Sequence, residues 1–268
     1  MTRKSPAEAH GEMRRSDSRS AAARSTRAAR SLGIRAALFD VDGVLADTAR
    51  LHTAAWRRLA DEEGLPFDDR LADQLRGVSR EESLRRILNG RQVSDSDFRA
   101  MTDRKNAYYQ EFVARLTGED ALPGARVLLE DLADEGITCA AVSISRNARQ
   151  VLAQLELSPL LKVIIDGNDA AQSRTGLDRY LLAAAALRCD PRKCVVFEDS
   201  TAGISMARRA GMVTIGLGDP RRLAAADLIF DSLRGVSGRL LLRWLETLRN
   251  GESHGASKAS CPSAKITV

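Results

Sequence analysis

The feature that most constrains this chain is a series of short apolar runs, Ala36–Phe39, Ile137–Val142, Val163–Ile165, Cys194–Phe197, Val213–Leu217 and Leu228–Phe230, separated by stretches of helical periodicity. Runs so short and so continuously apolar read as strands buried on both faces. Their alternation with helices predicts an α/β architecture, a doubly wound parallel sheet. Gly136, after Asp134-Glu135, and Gly211, after Arg208-Arg209-Ala210, are the expected helix stops. One interval breaks the rhythm. Residues 40–136 separate the first strand from the second, far more chain than a crossover helix needs. From about 50 to 119 the pattern is helical only, with capping-box spacing at Ser79-x-x-Glu82 and, in its Asp form, at Ser94-x-x-Asp97. A small helical cap domain, 50–119, is therefore expected inside a core formed by 31–49 and 120–250. Ligands of doubly wound sheets bind outside the carboxyl ends of the strands, where this insertion begins and where it is placed to act as a lid.

Charge must be counted by segment. The whole chain carries a net +5, but residues 1–30 hold eight basic and three acidic residues, so that tail supplies all of it and residues 31–268 sum to zero. A balanced body argues against nucleic-acid and membrane surfaces as partners. Rich in Arg, Ser and Ala, the first 30 residues lack the central apolar segment of a secretory signal and are expected to be disordered, as are 251–268. An organelle transit peptide has a similar composition; three acidic residues and the absence of an amphipathic face speak against it. No apolar run reaches the roughly 18–20 residues of a membrane helix. Cys139, Cys189, Cys194 and Cys261 show no C-x-x-C spacing, which suits buried thiols in a reducing compartment, and the cytoplasm is the expected location.

The chemistry lies at strand ends. The first strand runs into Phe39-Asp40-Val41-Asp42-Gly43, two carboxylates one residue apart before a glycine turn, and the fourth runs into Phe197-Glu198-Asp199-Ser200. Either pair alone is compatible with a solvated turn. Two acidic pairs at the same end of neighbouring strands repel one another unless a cation compensates them, and hard oxygen donors without nearby His or Cys favour Mg²⁺.

Leu38-Phe39-Asp40-Val41-Asp42-Gly43-Val44 resembles the first motif of the haloacid dehalogenase superfamily, with its Rossmann-like core, and the likeness extends over nearly all of residues 35–230. Within that superfamily the chain is most similar to the β-phosphoglucomutases, through Gly77-Val78-Ser79-Arg80-Glu81-Glu82-Ser83-Leu84, Arg104-Lys105-Asn106, Ser143-Ile144-Ser145-Arg146-Asn147 and Glu198-Asp199-Ser200-Thr201-Ala202-Gly203-Ile204. The resemblance implies Asp40 as the nucleophile that becomes an aspartyl phosphate, and Asp42 as the general acid and base. It implies Mg²⁺ held by the Asp40 carboxylate, the Asp42 backbone carbonyl and Asp199, with Glu198 close by. Thr48, His52 and Trp56, spaced i, i+4, i+8, share a helix face. In the family, the matching Thr and His sit at the hinge between core and cap and help position the acid/base Asp, while Trp56 reads as cap packing. Ser143 would donate to the transferring phosphate. Arg80, at a helix start after Gly77, Val78 and Ser79, offers a guanidinium fork to a second phosphate, and Arg146 and Asn147 would take that phosphate in the other orientation. Lys105 would face the sugar or distal phosphate; Ser83, Asn106 and Ser145 belong to the same substrate-binding motifs.

One departure is visible. Where the family has a lysine followed by Pro-x-Pro-Asp, this chain reads Ser173-Arg174-Thr175-Gly176-Leu177-Asp178, so Arg174 stands in the lysine position and both prolines are missing. Arginine keeps the charge but is planar and longer. The implied activity is interconversion of β-D-glucose 1-phosphate and D-glucose 6-phosphate through β-D-glucose 1,6-bisphosphate, by a monomer with a small-molecule sugar phosphate as its partner. A sugar-phosphate phosphatase of the same superfamily is the alternative. A catalytically impaired phosphosugar- or nucleic-acid-binding protein is the reading from another class.

Overall fold

A computed structural model describes residues 33–75, 78–172 and 178–249. The expected tails lie outside these residues. Six strands form one sheet: β1 (Ala36–Phe39), β2 (Thr138–Val142), β3 (Val163–Ile165), β4 (Cys194–Glu198), β5 (Val213–Leu217) and β6 (Leu228–Phe230). They lie in the order β3-β2-β1-β4-β5-β6, and all five pairings are parallel. This is a doubly wound sheet whose order reverses between β1 and β4. The apolar runs become strands because both faces are covered. On one face Ala37, Phe39, Cys139, Ala141, Val195 and Phe197 join the larger core, and on the other Ala36, Leu38, Ala140, Val142 and Val196 pack with Tyr180, Ala183 and Ala184. Phe39 and Phe197, paired on β1 and β4, stack at 4.4 Å with planes 5° apart, directly beneath the two acidic strand ends.

Between β1 and β2 lies the inserted helical cap: α1 (Ala49–Glu63), α2 (Asp69–Gln74), α3 (Arg80–Leu88) and α4 (Asp95–Val113), followed by the crossover helix α5 (Ala125–Asp134). The remaining helices are α6 (Ala148–Gln154), α7 (Gly167–Gln172), α8 (Arg179–Ala186), α9 (Thr201–Arg209) and α10 (Gly238–Arg249). Gly136 and Gly211 adopt positive φ at 74° and 77°, as their place after α5 and α9 predicts. The two capping boxes are realised in one direction only. Ser79 and Ser94 accept from the backbone N–H of Glu82 and Asp97 at 3.3 and 3.1 Å, but Asp97 takes the Ser94 hydroxyl instead of reaching back to the Ser94 backbone. Among the described residues, no helix is long and apolar enough to cross a membrane.

Candidate active site

The Asp40–Gly43 turn is built by continuation of the sheet. The Asp40 N–H donates to the Phe197 carbonyl at 2.9 Å, and the chain then turns sharply, with Gly43 N–H on Ala46 O at 2.8 Å. Glycine is required at position 43 twice over. Its φ is +82°, and a Cβ there would lie 2.2 Å from Asp199 Oδ2. The turn therefore lets the β4 carboxylate approach the β1 loop.

Carboxylate oxygens of Asp40, Glu198 and Asp199 all lie within 4.8 Å of one another. Burial first, then the charges of Glu198 and Asp42, push the Asp40 carboxyl well above the usual carboxylate range. Such a cluster is costly alone and suited to a hard divalent cation, so the donor set fits the expected Mg²⁺. Glu198 is fixed from three sides: Oε2 accepts from the Ser200 N–H at 2.5 Å, and Oε1 accepts from the Tyr180 hydroxyl at 3.2 Å and from Arg179 Nη2 at 3.4 Å.

Asp42 faces a different set of groups. Its carboxylate accepts from the Thr48 hydroxyl through one oxygen and from the Ser143 hydroxyl through the other, at 3.3 Å. Burial raises its pKa while both hydroxyls pull it down, so one carboxylate of the Asp-x-Asp pair joins the cation cluster and its neighbour is oriented by donors. Ser143, expected to meet phosphate, here touches Asp42, and the loop behind it is closed by Ser145 N–H on Ser143 Oγ at 2.9 Å and Asn147 N–H on Ser145 Oγ at 3.2 Å.

From Thr48 the shared helix face leads into the cap. His52 stacks on Tyr109 at 4.0 Å, and its Nδ1 lies 2.8 Å from Lys105 Nζ. When Lys105 is charged its ammonium can only donate and the imidazole accepts, and burial with the Lys105 and Arg80 charges holds the His52 pKa well below its ordinary value. Trp56, on the same face, packs in the core and lies 4.8 Å from Lys105 Nζ, so it is packing and also a wall of the Lys105 site.

Arg80, Asn106 and Asn147 meet between cap and core. Asn106 Oδ1 accepts from Arg80 Nη2 and from Asn147 Nδ2, each at 2.8 Å, and Gln110 Nε2 donates to Asn147 Oδ1 at 3.2 Å. Arg146 extends from the core loop to Glu81 at 3.6 Å. Arg80 and Arg146 thus face one another across a seam, and this mutual repulsion, after burial, lowers the Arg80 pKa. Ser83 is buried on α3, Val78 precedes the helix, and Ser79 caps it. Gly77 and Arg174 lie outside the described residues. Sequence reading missed Arg179, Tyr180, Tyr109 and Gln110; none sits in a motif, and each gains its place only through packing.

The chain matches the haloacid dehalogenase-like hydrolase family profile over residues 34–211. It is 37% identical over 224 residues to a β-phosphoglucomutase of Bacillus subtilis, covering 82% of this chain and 99% of that protein. It is 33% identical over 208 residues to hexitol phosphatase A of Escherichia coli, covering 75% and 92%. The crystal structure of a β-phosphoglucomutase from Clostridium difficile superposes with a TM-score of 0.73 at 33% identity, covering 81% of this chain and 98% of that one. A doubly wound core with a helical insertion after β1, paired carboxylates at the switch point and these matches lead to one assignment: the chain belongs to the haloacid dehalogenase-like hydrolase family.

Proposed function

We propose that the protein is a β-phosphoglucomutase. The observation that carries this reading is a gathering of cationic and amide side chains apart from the carboxylate cluster: Arg80, Asn106 and Asn147 meet where cap and core touch, and Arg146 pairs with Glu81, the residue after Arg80. A phosphatase needs one phosphate site, whereas a mutase must hold a bisphosphate at both ends. In the proposed cycle, Asp40 attacks the phosphoryl group of a bound donor and becomes an aspartyl phosphate. Asp42, held by Thr48 and Ser143, protonates the departing sugar oxygen and later takes the proton from the incoming hydroxyl, a role that contributes about 10²–10⁴-fold. Asp40, the Asp42 backbone carbonyl, Asp199 and Glu198 would hold Mg²⁺, which when bound neutralises phosphoryl oxygens. Arg80 and Arg146 grip the distal phosphate, Lys105 faces the sugar, and the helical segment 50–119 closes over the site to exclude water.

The similarity to hexitol phosphatase A supports a second reading, hydrolysis of a sugar phosphate by the same nucleophile. One experiment separates them. The protein is incubated with β-glucose 1-phosphate, Mg²⁺ and a trace of glucose 1,6-bisphosphate, and glucose 6-phosphate and free phosphate are measured together. Stoichiometric glucose 6-phosphate with little phosphate release is expected; dominant phosphate release would make the protein a phosphatase.

A further inference from the structure

We infer that Arg179 serves as a built-in counter-ion to the Asp40–Glu198–Asp199 carboxylates, stabilising the cluster before a cation arrives and weakening its hold on Mg²⁺. The inference rests on the reading that these carboxylates bind Mg²⁺. Arg179 is the first residue of α8, whose start is fixed by Asp178: the Leu181 N–H donates to the Asp178 carboxylate at 2.9 Å. From there the side chain turns inward, and its guanidinium lies 3.4 Å from Glu198 Oε1. Its side chain is 14% exposed and that of Glu198 1%, so solvent screens the pair far less than it screens the surface ion pairs of this protein. The contact is electrostatic more than a hydrogen-bonded fork. Only Nη2 reaches the carboxylate, and the buried Nε finds no partner among the described residues.

Glu198 does not need Arg179 to keep its place, because the Ser200 N–H and the Tyr180 hydroxyl hold it independently. Removing the guanidinium therefore leaves the ligand in position and takes away a positive charge beside the cation. A divalent ion bound by this cluster repels that charge at short range, so the loss should tighten Mg²⁺ binding about tenfold. In metal-free protein the sign is opposite, because three carboxylates would face each other with less compensation.

The test is titration calorimetry of the full chain with Mg²⁺ alone, with melting curves in chelator and in saturating Mg²⁺. Arg179→Met should bind Mg²⁺ about tenfold more tightly than the parent and melt lower in chelator, a deficit that shrinks or reverses in saturating Mg²⁺. Arg179→Lys, which keeps the charge, should stay near the parent. Arg179→Gln, which keeps polar groups beside Glu198, gives the same readout if the Met variant does not fold. Unchanged or weaker Mg²⁺ binding in the neutral variants, with binding intact in the parent, would overturn the inference alone. Absence of Mg²⁺ binding in the parent would overturn the cation reading and the inference with it.

Discussion

At the scale of single residues, Lys105 shows how a position proposed to face substrate is held at a cost to folding. It is 3% exposed, donates to His52 and lies against the rings of Trp56 and Tyr109, with Arg80 and Asp42 as the charged groups acting on it. Burial first, then Arg80, lower its pKa to about 7, while Asp42 pulls the other way. The unfolded chain keeps this proton up to the ordinary lysine value, so between about pH 7 and 10 the unfolded state binds more protons than the folded one and stability rises with pH. The penalty is complete below about pH 7. Lys105→Met, uncharged and of similar length, should therefore resist urea better than the parent at about pH 6, with the advantage shrinking by about pH 9.5; a gap that stayed constant across that range would mean the lysine is not charged against its surroundings. Local sequence singles out Lys105 but not Arg179. Lys105 was reached through its motif, next to Arg104, which turns outward to pair with Glu63, and nothing in the sequence separates Arg179 from arginines such as Arg208 that stay on the surface.

At the scale of elements, α3 and α4 deliver most of the seam. Arg80 is the first residue of α3, so the angle at which its guanidinium leaves the helix depends on how that helix starts, and the start depends on Ser79. Losing an N-cap of this kind costs about 1 kcal/mol. Ser79→Ala should lower denaturant stability by about that amount and raise KM for the phosphosugar, while Ser79→Thr, a neutral cap, should retain both near the parent values; a stability loss with KM unchanged would separate the cap from the grip on phosphate. Elements of this kind were readable in advance where the signal is local. β1, β3, β5 and β6 fall where their apolar runs are, because a strand covered on both faces has no polar side to blur it. The capping serines are legible because a cap is a contact within one helical turn, though only the serine half of each box forms. What sequence could not supply was which side chains meet across elements: the Asn106–Asn147 contact joins residues 41 apart, and the Ser143–Asp42 contact joins residues 101 apart.

At the scale of the whole molecule, the question is whether a chain with net charge +5 attracts the anionic substrate proposed for it through that charge. Two observations say that it need not. All of the excess lies in residues 1–30, and the family match begins only at residue 34. The cations proposed to grip substrate, Arg80, Lys105 and Arg146, are instead gathered between cap and core, where contacts with Asn106, His52 and Glu81 fix them. A tail acting as a long-range field would show itself at low ionic strength, where the screening length grows from about 8 Å near physiological salt to about 30 Å at 0.01 M. Removal of residues 1–30 should therefore leave kcat/KM for β-glucose 1-phosphate within about twofold of the full chain at both ionic strengths. Arg146→Gln should lower it at both, because a placed charge acts at contact distance, where added salt screens little. A loss of kcat/KM on truncation confined to low salt would show that the tail steers substrate toward the site.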